Sequence, residues 1–127
     1  MRHRFRVVAE FLAAVAILGV LLGTAWSVWL PVRVSGGSMS PALTSGDLVI
    51  VRRDRRPIEG DIVLAVAGGQ GGVLHRAVGI GRDGAVTTKG DANLVTDAVR
   101  TRQHDVAGVV VRVVPVGTML RRWRGAE

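Results

Sequence analysis

Residues 11–30 form a run of twenty positions without a single charge, the only long apolar stretch in the chain. A helix over them is roughly 30 Å long at 1.5 Å per residue, the thickness of a bilayer core. Arg2, Arg4 and Arg6 precede the run and predict a cytoplasmic N-terminus. Trp26 and Trp29 fall where indoles mark the far interface. The expected division is residues 1–30 as cytoplasmic N-terminus and transmembrane anchor, and residues 31–127 as an extracytoplasmic β-domain. The protein is then a single-pass protein of the cell membrane. A cleaved secretory leader is the rival. Its apolar region is usually shorter and ends in a small-x-small site, whereas Trp26, Trp29 and Pro31 occupy that position here. A buried helix of a soluble domain fits less well, because the run has no polar face.

Beyond Pro31 the chain reads as short Val- and Ile-rich runs separated by Gly and Asp turns. Candidate strands cover residues 32–34, 47–52, 61–67, 73–80, 85–89 and 106–115, with 68–72 as a glycine-rich loop or hairpin turn. The class is mainly β: one N-terminal transmembrane helix followed by a small β core. That core must be aliphatic, because no Phe or Trp lies between residues 30 and 122. Residues 119–124 set Leu120 and Trp123 among three arginines. They read either as a segment lying on a membrane surface or as a frayed basic terminus.

There is no cysteine, so neither a disulfide nor a thiolate metal site can form. The net charge is +7, and Lys89 is the one lysine among seventeen basic residues. Nucleic-acid binding calls for clustered basic residues interleaved with aromatics, and none of the five aromatics lies between residues 30 and 122, which argues against stacking on bases. The basic excess is better matched to anionic headgroups, so the expected partner is the lipid bilayer, with no nucleic acid.

Just past the apolar run comes Ser35-Gly36-Gly37-Ser38-Met39-Ser40-Pro41. A serine among glycines can sit on a sharply turned backbone with its hydroxyl clear and N–H groups aimed at an oxyanion. Ser38 needs a base. His3 would lie across the membrane, leaving His75, His104 and Lys89. His75 falls in Val73-Leu74-His75-Arg76-Ala77-Val78, where alternation puts it on one face with Val73 and Ala77, and Leu74 with Arg76 on the other. A neutral imidazole can take a hydroxyl proton at pH 7; an isolated histidine on a sheet is also commonly just a structural one. Asp91 and Asn93 in Thr88-Lys89-Gly90-Asp91-Ala92-Asn93 can be turn formers. Alternatively, Asp91 or Asp97 holds the second imidazole nitrogen. Spacing leaves both open.

Four segments, SGGSMSPAL, GDIV, LHRAVGI and TKGDANLVTD, resemble in order the motifs of type I signal peptidases, over residues 34 to about 115. The resemblance implies a β-barrel catalytic core that cleaves signal peptides from exported preproteins after small residues, with no cofactor and no metal. Histidine in the third segment, where most bacterial members have lysine, is similar to the endoplasmic-reticulum, archaeal and some Gram-positive enzymes. The resemblance then implies Ser38 as nucleophile, His75 as general base and Asp97 as third catalytic residue, with Asp91, Gly37 and Met39 in support. Val34, Ser35, Gly36, Val73 and Leu74 would bind an extended substrate by strand addition. One departure is Gly36, which stands where many members have an oxyanion-binding serine, with Ser35 one step earlier. The short spacings also leave no room for a large inserted domain. Other readings are an inactive membrane-anchored peptide-binding accessory domain, a processing peptidase dedicated to a few matrix- or pilus-like substrates, and a tethered relative of the self-cleaving repressor peptidases that would depend on Lys89.

Overall fold

The computed structural model describes residues 2–66 and 71–125. Helix α1 spans Arg2–Val28. It is followed without a linker by strand β1, Trp29–Arg33. The helix therefore stops two residues before the apolar run does: Trp29 and Leu30 belong to the sheet. The reason lies in pairing. Trp29 stands opposite Arg52 and Leu30 opposite Val51, and the Arg52 guanidinium lies 5.3 Å from the Trp29 ring centroid, within cation–π range. The Arg53 N–H donates to the Val28 carbonyl at 2.9 Å, tying the helix end to the sheet.

The remaining strands are β2 (Leu48–Arg52), β3 (Ile62–Ala65), β4 (Val73–Ile80), β5 (Val86–Lys89) and β6 (Val106–Val114). They form one antiparallel sheet in the order β1-β2-β6-β3-β4-β5. The architecture is the expected one, an N-terminal apolar helix followed by a small β core. Five of the six strands differ from the sequence expectation at one or both ends: β1 starts three residues earlier, where residues 29–31 pair with β2, and β2, β3, β5 and β6 are shorter because pairing stops at their ends. Most of the expected 68–72 loop lies outside the described residues.

Period-2 alternation produces two aliphatic cores, one on each side of the curved sheet. One gathers Val34, Met39, Leu43, Val49, Val51 and Leu64; the other gathers Val63, Ala77, Val86 and Val109. Adjacent Val63 and Leu64 are both buried because β3 is central and covered on both faces. Neither core contains an aromatic ring.

Residues 119–124, open in sequence between a surface segment and a frayed end, belong to a second helix, α2, Val116–Arg124. Its start is fixed by the buried Asp47 carboxylate, which accepts from the Thr118 N–H at 3.1 Å and the Thr44 N–H at 3.0 Å. Burial pushes this carboxyl up, but donors at Thr118, Thr44 and Gly117 outweigh burial and hold it below the usual carboxylate range.

Helix α1 includes a 23-residue stretch, Arg6–Val28, long and apolar enough to cross a membrane. None of it is buried against the sheet: Phe11, Ile17, Val20 and Leu22 are all more than 60 % exposed.

Candidate active site

Ser38 lies in a loop between β1 and β2. Its base is closed by two backbone bonds, Val34 N–H to Asp47 carbonyl at 2.8 Å and Gly46 N–H to Val34 carbonyl at 2.9 Å. Gly36 takes φ +83°, a conformation that a side chain strains. The Ser40 N–H then donates to the Gly37 carbonyl at 3.0 Å, making the tight turn that presents Ser38. Met39 is 3 % exposed and Leu43 1 %, so the loop is pinned from below while Ser38 itself is only half-buried. Met39 thus belongs to the core beneath the serine. A second clamp comes from the segment after β5, where the Ala92 N–H donates to the Ser38 carbonyl at 2.9 Å.

A cleft of about 270 Å³ opens beside this loop. Val34, Ser35, Gly36 and Ser38 line one side, and Val73 and Leu74 of β4 line the other. The five residues singled out in the sequence for substrate binding therefore meet around the Ser38 cleft. Strand β4 continues from Val73 and Leu74 into His75, and Val73 also borders a neighbouring hollow lined by His75, Thr88 and Asp97.

His75 pairs across β3 with Val63. Its ring is 12 % exposed, and Nδ1 lies 2.6 Å from Asp97 Oδ2. The Thr88 hydroxyl donates to the same oxygen at 2.6 Å, and the Asp97 N–H donates to the Thr88 carbonyl at 2.8 Å. With the carboxylate accepting, Nδ1 carries the ring proton and Nε2 is left as the acceptor. No hydrogen bond joins Nε2 or Ser38 Oγ to a partner among the described residues. Neither is a buried unsatisfied atom there, so neither is sealed from solvent.

Sequence left Asp91 and Asp97 as alternatives for holding the imidazole; in the structure Asp97 contacts it. Asp91 is engaged elsewhere, accepting from Arg76 Nε at 2.7 Å and Nη2 at 2.6 Å. That two-pronged contact holds its carboxyl below the usual carboxylate range, outweighing burial. Arg76 also donates to the Gly60 carbonyl at 2.9 Å, linking the Asp91 loop to the turn before β3.

Thr88 and Arg76 were quoted within motifs but given no role by sequence reasoning. The signal for Thr88 was available, since it alternates inward with Val86 along β5 and is 2 % exposed. A buried hydroxyl requires a partner.

Residues 28–87 match the family model described as Peptidase S24-like. The match runs from the end of α1 through β4 into β5. It takes in Ser38 and His75 and stops short of Asp91 and Asp97. It covers just under half of the chain, and over that length the chain is similar to a serine peptidase family related to, but not specifically, the type I signal peptidases. No curated protein matched the chain.

Proposed function

We propose that this protein is a membrane-anchored serine endopeptidase that removes signal peptides from exported preproteins, cutting after small residues. The observation that carries the reading is the His75–Asp97 contact. It fixes the imidazole tautomer and leaves Nε2 unbonded, on the strand that also lines the Ser38 cleft. In this reading the substrate lies extended between residues 34–36 and 73–74, and the cleft's aliphatic walls admit small side chains. Ser38 Oγ attacks the scissile carbonyl as His75 Nε2 takes its proton. The imidazolium, stabilised by Asp97, returns that proton to the leaving amine, and water then hydrolyses the acyl ester. The Ser38 N–H is the oxyanion donor. Proton transfer requires Oγ and Nε2 to come within about 2.6–3.2 Å in the substrate complex.

Helix α1 anchors the enzyme with its N-terminus in the cytoplasm and the sheet outside, where signal peptides emerge. The chemistry assigned here uses no cofactor. The test is incubation of the purified protein with a preprotein, followed by sequencing of the new N-terminus. Cleavage after a small residue, abolished by Ser38→Ala, is the expected result. Undiminished turnover by Ser38→Ala would overturn the proposal.

A further inference from the structure

Helix α2 is packed the wrong way round for a soluble protein. Val116, Met119, Leu120 and Trp123 follow the i, i+3, i+4, i+7 spacing that makes one apolar face. That face points outward: the four are 40, 63, 53 and 84 % exposed. The helix meets the rest of the protein through its small and polar side. Gly117 packs so closely that a Cβ there would collide with the Ser45 carbonyl oxygen, and Thr118 bonds Asp47. Arg121, Arg122 and Arg124 occupy the last turn, with no acidic residue in the helix. Beside α2 is a hollow of about 460 Å³ in which Arg33, Arg121 and Arg124 surround Leu48, Val116 and Leu120.

We infer that α2 is an interfacial helix that lies on an anionic lipid leaflet, its apolar face in the acyl boundary and its arginines on lipid phosphates. The inference rests on the reading of α1 as an anchor and adds a second, lateral contact. An apolar stripe with arginines beside it is the pattern of helices that lie in the headgroup plane. The Arg33–Arg121–Arg124 hollow offers cationic groups around an apolar floor, matching a phosphate headgroup above its acyl chains. A second copy is the poorer occupant, since a symmetric contact would bring the arginines of both copies together. The hollow lies at the Arg33 end of β1, five residues along from α1, so the contact requires β1 to run beside the leaflet rather than away from it.

The test uses the full chain in nanodiscs, with bromine placed on the shallow acyl carbons of the lipid. In a Trp26→Phe/Trp29→Phe variant the remaining indole is Trp123. Its emission is expected to be blue-shifted and bromine-quenched in phosphatidylglycerol bilayers. Most of the quenching should be lost in all-phosphatidylcholine bilayers, and lost again on adding Arg121→Gln/Arg122→Gln/Arg124→Gln. Solvent-like, unquenched emission in phosphatidylglycerol overturns the inference. So does shielding without bromine quenching that grows with protein per disc, which would mean self-association. The Trp123→Phe variant reports on Trp26 and Trp29. If those are quenched and Trp123 is not, the anchor reading stands and the α2 contact fails. If Trp123 alone is quenched, the α2 contact stands and the anchor fails.

Discussion

Thr88 and His75 converge on a single oxygen, Oδ2 of Asp97, each at 2.6 Å. The threonine thereby sets the direction from which the carboxylate meets the imidazole. Thr88→Val keeps the shape and removes the donor. A hydrogen bond to a charged group contributes about 1.5–3 kcal/mol, so kcat is expected to fall about 10- to 100-fold. Thr88→Ser should restore most of the activity. Preprotein cleavage kinetics check this, and a Thr88→Val enzyme of full activity would remove Thr88 from the site.

The two aspartates should separate by phenotype. Asp97→Asn is expected to lower kcat by about three to four orders of magnitude, because an amide can hold the wrong imidazole tautomer, with melting temperature nearly unchanged. Asp91→Asn breaks the Arg76 contact and should instead lower stability. Arg76 is one-third exposed, so water offsets part of the loss and about 1–2 kcal/mol is expected. Parallel activity and melting measurements decide. A larger catalytic loss at Asp91 than at Asp97 would reverse the assignment.

Gly90 reports on how tightly the serine loop is clamped. A Cβ there would sit 2.7 Å from the Ser38 carbonyl oxygen, which is backbone and cannot swing aside. Gly90→Ala is expected to displace Ser38, cutting kcat at least about tenfold and costing about 1–3 kcal/mol of stability. Gly79→Ala, where the nearest atom is at an ordinary 3.8 Å, should be tolerated. Equal behaviour of the two variants would show that the clamp does not position the nucleophile.

Acid should loosen α2 through Asp47. Its carboxyl is held below the usual value in the folded protein, so the stability it contributes is present above the unfolded value of about 3.9 and is lost as pH falls through the lower folded value. Asp47→Asn is expected to be about 1–3 kcal/mol less stable at pH 7. The gap to wild type should narrow as melting curves are taken from pH 5 down to pH 3. A gap independent of pH would mean the carboxylate charge plays no part.

The mainly β class was legible because short Val- and Ile-rich runs are broken by Gly and Asp turns, and an aliphatic core follows when rings are missing. Ser38 stood out by its setting between glycines and a proline, and His75 because few candidate bases exist in the chain. The choice between Asp91 and Asp97 was not readable from spacing. It depends on which loop residue lies over Thr88 and which is claimed by Arg76, and both are products of tertiary packing. The end of α1 was misjudged for a similar reason: hydropathy records that Trp29 and Leu30 are apolar but not that Arg52 and Val51 await them across a strand. The outward apolar face of α2 was hidden because periodicity identifies a stripe without saying which side the sheet will take.

Helix α1 passes directly into β1, and the Arg53–Val28 bond ties the junction to the sheet. On the proposed reading, with α1 seated in lipid, this junction would set the height of the Ser38 hydroxyl above the headgroups. An enzyme of the proposed kind would work as a gauge, its cut chosen by distance from the bilayer as well as by side chain. Lengthening the spacer between a signal peptide's apolar stretch and its small residues should carry the sensitive bond out of reach.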